Sequence, residues 1–236
     1  MHILDGVLSP PVVAVTSVAA AGLVAWSLKG AKEEDVPKIA VTSALFFVGS
    51  LVHVNVGASS VHLLLSGIIG LVLGRRTPAA ISIALILQLL ILQFGGLTSL
   101  GANIIDVSLP AMLVASLVRP YLGRSYKTDL AVGAASGGLS VILTVLFVSV
   151  MLIESNMRFG FGPFSAVTGL MVGHIPIVII EAVVTAFAVA AIRKTRPRLL
   201  GLDPCTAEPA DNSEADNSDN EASNGDTEIS EKGGEA

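Results

Sequence analysis

Residues 130–153, LAVGAASGGLSVILTVLFVSVMLI, run without a single charged side chain. A bilayer core about 30 Å thick takes roughly 20 apolar residues as one helix, so this stretch reads as a transmembrane span. Apolar segments of the same kind occupy 10–28, 39–56, 60–74, 78–94, 104–122 and 165–192. Together they predict an all-α, polytopic membrane bundle of about seven transmembrane helices. The segment 60–74 is short for a perpendicular span, and the stretches around 57–74 and 95–106 are rich in Gly and Ser. Non-helical backbone at membrane depth persists only where protein or a cavity satisfies it. A re-entrant element lining a site is therefore expected near residue 60.

Composition supports the same class. The 236 residues are 52% hydrophobic and 14% charged, against about 25% charged in soluble domains, and mean hydropathy is +0.75. The net charge of -5 averages two unlike parts. Residues 1–198 sum to +5 and residues 199–236 to -10. The first part is expected to form the transmembrane, metal-binding domain. The second, rich in Asp, Glu, Asn, Ser and Gly, is expected to be a disordered acidic tail, because it lacks the apolar residues needed to offset ordering entropy. Cys205 is the single cysteine, so neither an internal disulfide nor a Cys-based metal site is available. No basic region precedes the first apolar run, so an uncleaved amino end is expected.

Basic residues set the expected orientation. Lys29, Lys32 and Lys38, then Arg75 and Arg76, then Arg119, Arg124 and Lys127, then Arg193, Lys194, Arg196 and Arg198 all fall on alternate loops. Only Arg158 falls on the other side. The positive-inside rule makes the basic side cytoplasmic, which puts the C-terminus inside and, with seven spans, the N-terminus outside. Small residues Ala14, Ala21, Gly22 and Ala25 cluster on the first span and fit either internal packing or a face for another membrane subunit.

Four histidines carry the candidate chemistry: His2, His53, His62 and His174. Three lie toward the outer side in this topology. Neutral imidazole suits Zn, Cu, Co and Ni. The Met1 α-amine, the His2 amide nitrogen and the His2 ring can close two chelate rings on one metal, and one further nitrogen completes the plane that Ni(II) and Cu(II) favour. His62 is the natural fourth ligand, at the end of Gly57-Ala58-Ser59-Ser60-Val61. Asn103, Ser59 and Ser60 are candidates for hydrogen bonds that orient the ligands. His53, His174 and Glu181 are weaker candidates; Glu181 suits a proton relay or, in preference, a structural pairing. Asp106 is the other intramembrane carboxylate. No Gly-x-x-x-x-Gly-Lys-Ser/Thr loop or Gly-x-Ser-x-Gly elbow occurs, and nothing indicates nucleic-acid binding.

The opening Met1-His2-Ile3-Leu4-Asp5-Gly6-Val7-Leu8-Ser9-Pro10-Pro11 closely resembles the amino end of the CbiM/NikM family, the substrate-binding membrane components of energy-coupling-factor transporters for cobalt and nickel. The resemblance continues through Gly57 to Gly67, through Gln93-Phe94-Gly95-Gly96-Leu97-Thr98-Ser99-Leu100-Gly101-Ala102-Asn103, and from His174-Ile175-Pro176 to Glu181. It covers roughly residues 1–195. It implies a helical bundle whose extracytoplasmic amino end inserts and binds the metal through Met1, His2 and His62. It also implies a transmembrane coupling subunit, cytoplasmic ABC ATPases and a small accessory membrane protein as partners. The loop before His62 departs from the family's Gly-Gly-Thr-Ser-Gly-His, reading Gly-Ala-Ser-Ser-Val-His, and His53 has no family counterpart.

The reading that follows is a multi-pass plasma-membrane component of an ATP-driven importer for Co²⁺ or Ni²⁺, itself not an enzyme. No permanently bound cofactor is expected, the transported ion being the ligand. An intramembrane metal-dependent or serine hydrolase, using Ser59 or Ser60 with His174, is the alternative. A passive metal channel is a third.

Overall fold

The computed structural model describes residues 3–51, 53–56, 59–160, 162 and 165–203, with backbone alone for 53–56 and 59–62. The chain forms α1 (Pro10–Leu28), α2 (Asp35–Gly49), strands β1 (His53–Val56) and β2 (Ser59–His62), α3 (Ser66–Leu73), α4 (Thr77–Leu87), α5 (Leu100–Val118), α6 (Tyr126–Ser155) and α7 (Ala166–Thr195). A π-helical turn, Gln88–Leu92, extends α4. Local sequence sets several starts. Pro10 and Pro11 open α1, where a missing N–H costs nothing. Ser125 and Ser165 cap α6 and α7 by accepting the amides of Thr128 and Thr168.

Among the described residues, five helical stretches are long and apolar enough to cross a membrane: Pro10–Leu28, Ser66–Leu92, Leu100–Tyr121, Tyr126–Ser155 and Ala166–Thr195. The second is not straight. Asp35 meets Arg76 at 3.1 Å, the Ser43 hydroxyl donates to the Ala80 carbonyl at 2.9 Å, and the Gln88 amide donates to Ser50 Oγ at 2.8 Å. These pairs run α4 alongside α2 in the same direction. α3 runs the other way, from beside Gly49 at Leu65 to beside Arg119 at Gly74. The chain reverses at Gly74, whose φ of 51° lies in the left-handed region that glycine tolerates.

The fold is the expected helical bundle, with one short ribbon set into it. The segment 39–56, expected to be helical throughout, is α-helical only to Gly49. Residues 53–56 and 59–62 form a two-stranded antiparallel ribbon in the register His53↔His62, Val54↔Val61, Asn55↔Ser60 and Val56↔Ser59. β-Branched valines favour the pleated chain, and a ribbon pairs its own backbone groups where a helix breaks off. The Gly/Ser stretch read as a re-entrant loop is thus a hairpin feeding a short helix.

Glycines fix the inner packing. A β-carbon at Gly67 would lie 2.6 Å from the backbone of Gly137, and one at Gly137 would lie 2.4 Å from the Glu181 carbonyl. The Ser136 hydroxyl donates to the Gly67 carbonyl at 3.0 Å. α3, α6 and α7 therefore touch backbone to backbone, the close approach that small residues permit. On α1, by contrast, Ala14, Ala21, Gly22 and Ala25 are all exposed. That stripe does not pack within this chain. α1 instead meets α5 where Ser17 closes on Gly101, 2.5 Å from the position of a β-carbon.

Most of the basic loops gather at one end of the bundle. Arg76 donates to the carbonyls of Ser27, Lys29 and Gly30 at the end of α1. Arg75 lies over the Trp26 ring at 4.6 Å. Arg193 of α7 pairs with Asp129 of α6 at 2.6 Å. The amino-terminal segment and the loop before α5 meet at the opposite end.

Candidate metal centre

The residues after His2 are built into the bundle by hydrogen bonds. Ile3 is 4% exposed. Its N–H donates to Asn103 Oδ1 at 2.8 Å, and its carbonyl accepts from Asn103 Nδ2 at 3.1 Å and from the Ser99 hydroxyl at 2.6 Å. Asn103, 2% exposed, thus binds one residue of backbone through donor and acceptor at once, as a neighbouring strand would. Two residues on, the Asp5 carboxylate accepts the amides of Leu97 (3.1 Å), Thr98 (2.9 Å) and Ser99 (3.3 Å), and the Thr98 hydroxyl. These amides approach the start of α5, where backbone donors lack intrahelical partners and a negative charge is favoured. The Thr98 hydroxyl above all holds the Asp5 carboxyl below its ordinary 3.8; burial opposes it more than any one amide favours it, and the amides of Thr98, Ser99 and Leu97 add to the lowering. Gly96 has no side chain because none fits: a β-carbon would lie 2.1 Å from Asp5 Oδ1.

A second brace acts beyond His62. Glu181 of α7 is fully buried. Its Oε1 accepts the amides of Leu64 and Leu65, the latter at 2.8 Å. Leu65 caps α3 with φ 53°, an uncommon conformation for a branched side chain. Two amide donors on one carboxylate oxygen hold that turn in place. Glu181 sits where it does because α7 packs on α6 through Gly137.

Residues 2–199 match the CbiM family, described as the cobalt uptake substrate-specific transmembrane region. The chain belongs to this family. CbiM relatives include a putative metal transport protein of Haemophilus influenzae, 33% identical over 202 residues that cover 85% of this chain and 97% of the relative. A putative fused nickel transport protein, NikMN, of Archaeoglobus fulgidus is 26% identical over 85% of this chain and 68% of its own length. The cobalt transport protein CbiM of Geobacter sulfurreducens is 26% identical over 85% of this chain and 61% of its own length. The crystal structure of a truncated transition metal transporter shares the fold, with a TM-score of 0.67 over 81% of this chain and 98% of that one, at 23% identity. The chain is therefore a multi-pass membrane component of cobalt and nickel transport.

The CbiM motif residues divide by what the fold does with them. Met1 and His2 lie outside the described residues. His53, His62, Ser59 and Ser60 are described by backbone alone, with His53 and His62 directly opposite in the ribbon. Asn103 lies against the amino-terminal segment through the backbone of Ile3. Glu181 braces the turn that follows His62. His174 stands apart from these contacts: its Nδ1 donates to the Leu170 carbonyl at 2.7 Å, and the ring lines an apolar groove between α6 and α7 with Val145, Met171 and Val178. It reads as a satisfied packing histidine. Asp106, one turn along α5 from Asn103, is fully buried, and neither carboxylate oxygen has a hydrogen-bond partner among the described residues. Among the described residues no three His, Cys, Asp or Glu side chains cluster to hold a metal. The hydrolase alternative gains no support, since the relatives are transport proteins and His174 is engaged by backbone.

Sequence reasoning assigned no role to Asp5, Thr98, Ser99 or Gly96. The signal was present. A carboxylate three residues after His2, and a Gly-Gly-Leu-Thr-Ser run ahead of a helix, are a hydrogen-bond acceptor and a set of free amides.

Proposed function

We propose that this chain is the substrate-specific component of an ATP-driven energy-coupling-factor importer for Co²⁺ or Ni²⁺. It captures the ion with the Met1 amine, the His2 amide and ring nitrogens and the His62 imidazole. The observation that carries this reading is the double anchoring of Ile3 and Asp5, which fixes the chain immediately beyond His2 against α5. A free amino end gains nothing from such an anchor unless its first residues have a place to be. The Glu181 brace does the same for the turn beyond His62. A planar nitrogen set suits Co²⁺ and Ni²⁺ and rejects Mg²⁺ and Ca²⁺, which prefer oxygen.

The positive-inside rule puts the Arg75, Arg76 and Arg119 end in the cytoplasm and the amino-terminal arm outside, where the metal arrives. The exposed small-residue face of α1 then offers the transmembrane coupling subunit a close-packing surface. ATPase subunits supply the energy, and a small accessory membrane protein completes the complex. The fused NikMN name among the relatives supports such an assembly.

Nickel binding by purified protein tests the site. His62→Ala and a one-residue extension ahead of Met1 should each abolish binding while the melting temperature stays put. Wild-type affinity in the extended protein would sink the amine-ligand reading.

A further inference from the structure

At the basic end of the bundle, α1, the α3–α4 reversal and α5 enclose a cavity of about 530 Å³, lined by Trp26, Arg75, Met112, Leu113, Arg119 and Pro120 among others. Its rim is cationic and its wall is apolar. The Arg119 guanidinium has no hydrogen bond or ion pair among the described residues. Its guanidinium is given room by two glycines in left-handed conformation: β-carbons at Gly74 and Gly201 would stand 3.1 Å and 3.4 Å from it. Arg75 is held in place beside it, stacked over Trp26 and donating through Nη2 to the carbonyls of Trp26 and Lys29. Both arginines lie at helix ends, where headgroups lie. From the Arg119 end, Leu117 and then Leu113, 70% and 41% exposed, lie along α5 in the direction of the bilayer centre.

We propose that this cavity binds one anionic phospholipid, its phosphodiester on Arg119 and Arg75 and its acyl chains along Met112, Leu113 and Leu117. Planar guanidinium groups match phosphate oxygens in fork geometry, and the aromatic ring of Trp26 belongs at the interface. The apolar wall decides between occupants. The acidic segment 204–236 is close in sequence to Gly201 and could answer the charge, but it has almost no large apolar residues to fill the wall. A phospholipid answers both.

The test uses full-length protein in nanodiscs of phosphatidylcholine containing a minority of phosphatidylglycerol, with retained lipid counted by native mass spectrometry after mild extraction. Wild type should retain one phosphatidylglycerol at least about tenfold more often than phosphatidylcholine, whose phosphodiester is the same but whose choline cation cancels the negative charge and repels the two arginines. Arg119→Gln should lose that preference while keeping its melting temperature in phosphatidylcholine alone. Retention by Arg119→Gln equal to wild type overturns the proposal, as does displacement of the lipid by free glycerol phosphate at equal concentration. Appearance of the preference only after residues 204–236 are removed gives the site to the acidic segment and overturns it too.

Discussion

Asn103→Ala tests whether the amino-terminal arm is held as described. The substitution removes two hydrogen bonds to Ile3, each contributing about 1 kcal/mol net, and leaves the buried Ile3 N–H without an acceptor, at about 1–3 kcal/mol. The Ile3 carbonyl keeps the Ser99 hydroxyl at 2.6 Å, which limits the loss on that side. The docking of the arm should weaken by about 2–4 kcal/mol. At about 1.4 kcal/mol per factor of ten, the docking constant falls roughly 30- to 1000-fold. Apart from Ser99, Asn103 side-chain partners lie only in the arm, so the helical bundle should melt close to the wild-type temperature. Amide hydrogen exchange at residues 3–8 reads the docking directly. Loss of protection there, with protection in α5 and α6 intact, is the expected pattern. Nickel affinity should fall in proportion to the docked fraction that remains, because on the proposed reading only the docked arm is competent. Unchanged exchange at Ile3 would refute the clamp, whatever happened to metal binding.

Other predictions follow from the same contacts. Gly96→Ala places a β-carbon on Asp5 and should free the arm as Asn103→Ala does, read by the same exchange experiment. The Asp5 carboxyl titrates below 3.8, so its support of the docked arm is complete above that pH and is lost only as pH falls through the lowered value. Arm protection should therefore be flat from pH 5 to 8 as far as Asp5 is concerned, and Asp5→Asn should weaken it across that range. Glu181→Gln keeps a carbonyl oxygen for the Leu64 and Leu65 amides and should melt near wild type; Glu181→Leu orphans both and should cost about 2–4 kcal/mol in thermal unfolding. Gly137→Ala overpacks the α3–α6–α7 contact and should cost about 1–3 kcal/mol, with equal stability of the variant counting against the backbone contact.

The membrane class and the run of apolar segments were legible because lipid solvation writes itself into composition. The basic loops were legible for the same reason, and Arg75, Arg76 and Arg193 are found where alternate loops converge. The ribbon at 53–62 was not, since a short run such as His53-Val54-Asn55-Val56 fits the end of a helix as well as a strand. Only pairing with Ser59–His62 decides it, and pairing is a tertiary fact. Asn103 was singled out from its place in a motif, but its partner, the backbone of Ile3, lies 100 residues away in the chain. Glu181 was weighed as a relay against a structural pairing, the latter favoured, but its partners could not be named, because the Leu64 and Leu65 amides carry no side-chain signature.

The two braces share a logic that bears on release. Asn103 and Glu181 both act on backbone, and both act downstream of a proposed ligand rather than on it. Neither brace is an ion pair, so neither requires burying two charges whose desolvation the bilayer would make costly. A hydrogen-bonded clamp on one residue of backbone opens when that residue moves by a little over an ångström, because such bonds weaken steeply with distance and angle. A partner that tilts α5 relative to the arm would therefore undo Asn103, Ser99 and Asp5 contacts together, without unfolding a helix. The Glu181 brace is different: α7 is locked to α6 and α3 through Gly137 and Gly67, so the turn beyond His62 stays fixed. The arm is then the moving half of the site and the ribbon the stationary half. Crosslinking follows from this. A disulfide between cysteines at Ile3 and Ser99 should block transport while leaving nickel bound, whereas one fixing Leu64 to α7 should leave transport intact. The reverse pattern would assign the motion to the ribbon.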